Sequence, residues 1–263
     1  MKWNRLYAST FPLSLVLMLF LNSPQVHSNQ DTWEIKAGLA PLSASLPWKG
    51  MDDQNVLVPY LDVRKGNWSF GVENIVHYQY PVGDDITLST GINLRDQGYK
   101  NQSSVFRGSS PDPVFIDYKI PNQEIAASAS IRWWLLSIAV NQDISNNSHS
   151  TSIKSSIDLP LYRYKNSIQI KATANELWYS ADYVDYYFGV KSNQENPALG
   201  RYRYNGKETV NHQFTLNAII SFGPRWEFRS IISRTTLGKG IYDSPLIGTR
   251  YENKAIFALS YLL

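Results

Sequence analysis

The chain has 263 residues, no cysteine, and a formal charge of +3 from 25 basic and 22 acidic side chains. Disulfides and a lipid on an N-terminal cysteine are therefore excluded, and the near-neutral balance supplies no basic excess for displacing counterions from nucleic acid. Aromatics reach 13%, with 17 tyrosines and 8 tryptophans; such residues collect at membrane–water interfaces and also in secreted sugar-binding folds. Mean hydropathy is only -0.31, as alternating strands would give.

At the N-terminus Lys2 and Arg5 precede an apolar run over 11–21, followed by Pro24 and the small residues Val26 and Ser28. That order predicts a secretory signal over 1–28, cleaved after Ser28, and the run is too short to span a bilayer. The mature domain is expected over 29–263, exported and without a helical anchor.

Residues 33–40 alternate Trp33, Ile35, Ala37 and Leu39 against Glu34, Lys36 and Gly38, which predicts a first strand. A loop over 41–54 carries Pro47, Gly50 and the paired acids Asp52 and Asp53. Residues 55–64 and 67–80 read as a hairpin about Lys65-Gly66. After Asp84 and Asp85, residues 86–94 give the cleanest alternation: Ile86, Leu88, Thr90, Ile92 and Leu94 face one way, Thr87, Ser89, Gly91 and Asn93 the other. Lipid would cover the first set and a lumen the second.

The segment 95–122 is long and irregular, with room for a short strand over 114–118. Strands follow at 123–131 and 135–143, with Arg132-Trp133-Trp134 as a turn bearing interface aromatics. Further strands are expected at 150–158, 167–177, 183–190, 209–222 and 226–236, the last two joined by the tight turn Gly223-Pro224-Arg225. The final stretch, 253–263, sets Ala255, Phe257, Leu259, Tyr261 and Leu263 against Lys254, Ile256, Ala258, Ser260 and Leu262. A last strand of a soluble sandwich would show the same period. In a barrel its edge must pair with 33–40, so that neither strand is left with unpaired backbone.

The expectation is an all-β fold, an antiparallel transmembrane β-barrel of about 12 strands (10–14) with no amphipathic helix. With both ends in the periplasm, connections after odd strands should be the long, outward ones. Those at 41–54, 191–208 and 237–252 obey. The segment 95–122, after a fourth strand, does not: either a strand is miscounted, or the segment is periplasmic or lumenal. If periplasmic, it is the first place to seek a partner surface.

Leu46-Pro47-Trp48-Lys49-Gly50, Tyr183-Val-Asp-Tyr-Tyr-Phe-Gly-Val190, Asp243-Ser244-Pro245-Leu246 and a final strand ending near Tyr261 resemble, in order and spacing, the MipA/OmpV family of outer-membrane proteins. The resemblance implies an outer-membrane barrel with lipid and lipopolysaccharide around it. It further implies a scaffold that holds a murein hydrolase, a membrane-bound lytic transglycosylase, together with a bifunctional peptidoglycan synthase. The positions carried over are Pro47, Gly50, Tyr187, Phe188, Gly189, Val190, Asp243, Ser244 and Pro245. Trp48 stands where the family favours Tyr, and Leu263 where it favours a terminal aromatic.

No catalytic, cofactor-binding or metal-ligating residue is assigned. His77, His149 and His212 lack zinc spacing, and no nucleophile elbow or phosphate-cradling loop is found. His149 beside Ser148 and Ser150, and His212, are the candidates for a rim dyad, more simply read as solvated strand ends. Asp52-Asp53 and Asp84-Asp85 are read as solvated loop acids, with calcium or the cation layer of lipopolysaccharide as the sharper reading. Tyr179, Tyr183, Tyr186 and Tyr187 are read as an interfacial girdle, with sugar stacking as the alternative. Asp243-Ser244-Pro245 is read as a turn in which Asp243 bonds the backbone. Besides the scaffold, a narrow solute channel fits the Thr, Ser, Asn and Gln faces of several strands, and an adhesin fits the long loops.

Overall fold

The computed structural model describes residues 32–71, 74–97, 99 and 110–263; the expected signal peptide over 1–28 lies outside them. Among these residues twelve antiparallel strands close into a barrel. They are β1 (Trp33–Ser45), β2 (Gln54–Lys65), β3 (Trp68–Phe70), β4 (Asn74–Val82), β5 (Ile86–Arg95), β6 (Glu124–Trp133), β7 (Leu136–Asp143), β8 (Thr151–Tyr164), β9 (Ile168–Tyr179), β10 (Thr209–Phe222), β11 (Trp226–Thr236) and β12 (Tyr251–Leu262). Each pairs with its sequence neighbours, and β12 returns to β1 through pairs running from Lys36↔Leu262 to Ser45↔Asn253. The first and last strands are neighbours, as the alternation of 253–263 requires.

Alternation decides which side chains face lipid. On β12, Phe257 and Leu259 are exposed on the outside while Ile256, Ala258 and Ser260 are buried within. The same outward set continues through Leu39, Leu57, Leu88, Ile131, Ile138, Leu159, Phe214, Leu216 and Ile232, all exposed. A contiguous apolar surface of that extent is untenable in water and is the expected lipid face of an outer-membrane barrel.

The count of twelve agrees with the alternation, but two elements differ from it in compensating ways. The stretch 67–80 is two strands: β3 stops at Phe70 before Gly71, whose missing side chain weakens a strand interior, and the β4–β5 ladder shifts register between Asn74 and Val76. The stretch 183–190 is mostly helix, α1 (Ala181–Phe188). With β3 and β4 separate, 95–122 follows the fifth strand and joins the other long connections at one end. It is then no exception to the loop rule, which places it with the outward connections. Its stretch 114–118 holds a 3-10 turn at Pro113–Phe115 in place of a strand.

The opposite end carries both strand termini and five short turns. Each turn contains one left-handed residue: Gly66, Gly83, Trp134, Lys165 or Gly223. Trp33, Trp68, Trp133, Trp134, Tyr164, Phe222 and Trp226 stand exposed around it as an aromatic girdle. Arg132 and Trp133 belong to β6, and only Trp134 lies in the turn. Lys65, Lys165 and Arg225 sit over the rings of Trp33, Tyr164 and Tyr261 at 5.4, 5.4 and 5.8 Å.

The seam is tight at Gly38, where a Cβ would lie 1.9 Å from the carbonyl oxygen of Leu259. Gly38→Val should therefore prevent or loosen closure, at a cost of about 1–3 kcal/mol or more. On unheated gels the variant should lose the compact, fast-migrating folded band; retention of that band at wild-type yield would contradict the tight seam.

Candidate functional site

The long connections fold together over one mouth of the barrel as a cap with its own core. Trp48, Tyr99, Val114, Tyr118, Tyr183, Val184, Tyr187, Phe188, Val190, Leu237, Ile241, Leu246 and Ile247 form one buried cluster. All three sequence blocks of the family resemblance meet in it. Trp48 stacks on Phe188 at 5.2 Å between ring centroids. Ser244 Oγ donates to the carbonyl of Phe188 at 2.6 Å and accepts from Leu246 N. Lys49 N donates to Leu246 O, and Gly248 N to Pro47 O, both at 2.9 Å.

Of the carried-over positions, Pro47, Tyr187, Phe188, Val190 and Ser244 are buried, Pro245 is half-buried, and Asp243 is exposed. Gly50 has φ +63°, and a Cβ there would crowd Ser110 and Asp112, so glycine is required on both counts. Gly189 ends α1, its N–H donating to Asp185 O. Val190 exchanges backbone hydrogen bonds with Tyr204. In the motif at 243–245, Ser244 and not Asp243 supplies the side-chain bonds that shape the turn.

Helix α1 forms because Ser180 caps it, Oγ accepting from Tyr183 N at 3.3 Å, and because Tyr183, Val184, Tyr187 and Phe188 share one face at helical spacing. That cap and spacing are the sequence signal that reading 183–190 as a strand missed. The tyrosines are core, not an interfacial girdle: Tyr179 stacks on Tyr183 at 4.3 Å, and Tyr183 and Tyr187 are buried. Burial pushes both of those phenols well above their ordinary range. Tyr187 Oη donates to Arg95 O at 3.2 Å. Arg201, also missed, is buried with its guanidinium on the carbonyls of Val114, Ile116 and Gln194 at 2.6, 2.7 and 2.5 Å. It ties the connection after β5 to the one after β9.

Beneath the cap lies a buried ion pair. Arg95 Nη2 is 3.3 Å from Glu124 Oε2 and donates to Ser150 Oγ at 2.8 Å; its guanidinium lies 5.3 Å from the ring centroid of Tyr183. Glu124 accepts a hydrogen bond from Ser148 Oγ. The pair therefore couples β5, β6 and the start of β8 to the cap helix.

The lumen wall is asymmetric. On β1, β2 and β12 the inward residues Ala40, Leu42, Ala44, Val58, Tyr60, Ile256 and Ala258 form an apolar cluster, and Leu46 packs on both this cluster and the cap. On β5–β7 the inward residues Thr87, Ser89, Asn93, Ser128, Ser130, Ser137 and Asn141 are small, polar and partly exposed. Charges gather toward the uncapped mouth. Asp158 Oδ2 takes both Arg132 Nη1 at 3.3 Å and Lys171 Nζ at 3.2 Å. Glu227 takes Lys36 at 3.0 Å and Arg229 at 2.9 Å, and Asp62 takes Arg64 at 2.9 Å.

The remaining candidates do not assemble into a reacting site. His77 faces inward on β4, His212 sits outside β10 beside Glu176 at 3.7 Å, and His149 lies in the β7–β8 connection. There the carboxylate of Asp143 accepts the backbone N–H groups of Ser145, Asn147, Ser148 and His149. Ser148 Oγ is turned to Glu124, not to His149. Asp52 and Asp53 are exposed in the first connection, and Asp84 and Asp85 occupy the β4–β5 turn. No group of three or more His, Asp or Glu side chains able to hold a metal occurs among the described residues.

The model of the family described as MltA-interacting protein MipA matches residues 37–263. No curated protein matches. Among solved structures, an outer membrane channel from Pseudomonas putida F1 aligns over 92% of this chain and 100% of its own at 8% identity and TM-score 0.41. NanC porin aligns over 88% and 99% at 14% identity and TM-score 0.35. OprD from Pseudomonas aeruginosa aligns over 90% of this chain at 13% identity and TM-score 0.34, and the match spans 66% of its own length. These likenesses concern the fold alone.

Two outcomes follow from the cap. Arg95→Ala leaves Glu124 buried without its cation, which should cost about 3–5 kcal/mol; adding Glu124→Gln should recover much of it, measured by urea unfolding in detergent. Tyr183 and Tyr187 carry raised pKa values only while docked. Their contribution is thus complete below the free phenol value of about 10 and is lost as pH rises past it. Protease cleavage of the cap connections should stay flat from pH 7 to about 9 and rise above about 10; a loss of protection at neutral pH would contradict this.

Proposed function

The chain belongs to the MipA family, described as MltA-interacting protein, and from the geometry of this member we propose a narrow, capped passage for small polar solutes through the outer membrane. The observation that carries this is the partly exposed strip of Thr87, Ser89, Asn93, Ser128, Ser130, Ser137 and Asn141 on the inner wall. A barrel serving only as a membrane anchor has no need of solvated hydroxyls and amides along one side of its interior. The cap lies over the outer end, by the rule that both termini of such barrels lie in the periplasm. Its closure rests on stacked aromatics and a few hydrogen bonds, a contact that can open on a functional timescale.

A second reading, a scaffold for murein-remodelling enzymes, is favoured by the family's description as MltA-interacting and by the packed cap over the outer mouth. On that reading the periplasmic rim of short turns does the work and the lumen is idle. Planar-bilayer recording separates the two. Wild-type protein should give rare, small steps, and Trp48→Ala with Phe188→Ala should raise the open fraction about tenfold or more, given the roughly 3–5 kcal/mol attached to a buried aromatic. Absence of steps from both proteins, correctly folded, removes the passage. Capture of a lytic transglycosylase by the same silent barrels would then support the scaffold.

A further inference from the structure

We propose that the lipid-facing wall of the barrel carries a binding site for lipopolysaccharide, in which Arg234 of β11 takes a phosphate of the glycolipid headgroup beside Tyr251 and Asn253 of β12. Such a site needs only the outer-membrane barrel and is independent of whether the lumen conducts. Arg234 shares the outward face of its strand with Ile232 and is exposed. Its guanidinium sits over the ring of Tyr251, 4.1 Å from the centroid, and Asn253 stands directly opposite it in the ladder. Among the described residues no carboxylate pairs with it. A guanidinium held by its face keeps its N–H edge for an oxyanion, and the neighbouring amide adds a further donor.

Depth in the membrane is what calls for an anion. On the outward face of β11, Trp226 belongs to the inner girdle and Arg234 follows eight residues later. At about 3.4 Å per residue and a tilt of roughly 40°, that sets it about 21 Å away, near the far margin of an apolar band about 25 Å tall. A cation facing lipid is costly at the midplane and tolerated where headgroups begin. Toward the midplane Phe214, Ile232 and Phe257 stand exposed on the same face, apolar ground for acyl chains. Donors at the margin and apolar side chains beneath them match one amphiphile, the phosphorylated glycolipid of the outer leaflet. Among the described residues no other lysine or arginine takes an outward position in the outer half of a strand.

The acids of this sector do not occupy Arg234. Glu176, outward on β9, lies 3.7 Å from His212 Nδ1; it is two strands from Arg234, about 10 Å or more, with β10 between them. Glu252 faces inward, 15% exposed, and is bound to Lys254 Nζ at 2.6 Å. Asp182, Glu208 and Asp243 are exposed in the cap connections beyond the strand ends, among Lys207, Lys239 and Arg250.

The test refolds the full chain in a neutral detergent and measures binding of purified lipopolysaccharide, intact or stripped of its phosphates, by native mass spectrometry. Wild type, Arg234→Gln and Asn253→Leu are compared. Wild type should bind the intact glycolipid about tenfold more tightly than the stripped one, the loss expected when one charge-assisted contact goes. In Arg234→Gln that difference should disappear while the folded band on unheated gels persists, and Asn253→Leu should narrow it. Equal binding of intact and stripped glycolipid by wild type, or a difference that survives in Arg234→Gln, overturns the site. Competition separates the sources of phosphate. Displacement of the glycolipid by an equal concentration of phosphatidylglycerol or of inorganic phosphate overturns the assignment to lipopolysaccharide, and resistance to both supports it. Should Arg234→Gln not fold, Asn253→Leu decides: a preference for intact glycolipid unchanged in that variant overturns the site.

Discussion

The pairing of β12 with β1 is the contact on which everything else rests. In hydrocarbon an unpaired backbone amide or carbonyl costs several kcal/mol, so an open edge between Trp33–Ser45 and Tyr251–Leu262 would be untenable. Closing that seam removes both edges at once and fixes the face of every strand, since a one-residue slip would send Phe257 and Leu259 inward and Lys254 into lipid. The tight approach at Gly38 shows how closely the seam is drawn.

Closure with an even number of strands has a second consequence. All connections after odd strands fall at one end, and four of them carry aromatic and aliphatic residues that neither lipid nor barrel wall covers. They bury one another. Trp48, Tyr99, Tyr187 and Leu246 come from separate connections yet share one core, cross-linked by Ser244, Arg201 and the Lys49–Leu246 backbone bond. Among the described residues the opposite end has no such material, and its turns are held by single left-handed residues and a ring of exposed aromatics. The two ends of the barrel thus differ in kind: one is a packed lid, the other a mouth.

Between them the interior is divided lengthwise. The apolar arc of β1, β2 and β12 runs continuously into the cap through Leu46, whereas the wall of β5–β7 keeps small polar side chains in contact with solvent. Charges are satisfied by partners one or two strands away, Lys36 with Glu227 and Arg132 with Asp158. On the proposed passage reading, a capped, half-polar lumen suits traffic of small solutes better than it suits inert anchoring. It leaves the rim free for the contacts that the family's description suggests.

The period-two pattern by itself determined the all-β class, the outward and inward sets of residues 86–94 and 253–263, and the meeting of first and last strands, because alternation and edge pairing are local properties of the chain. It could not place 95–122, since Gly71 divides one apparent strand into two and shifts the parity of every connection up to the ninth. Nor did it recover α1, although Ser180 and the spacing of Tyr183, Val184, Tyr187 and Phe188 carried the helical signal; a run so rich in aromatics satisfies either period. The family blocks were legible as words, but their convergence on one buried cluster was not. Only the tertiary structure decided that, along with the sharing of Asp158 by Arg132 and Lys171. Both depend on which strands closure and register bring side by side, a relation between residues tens of positions apart that no local pattern encodes.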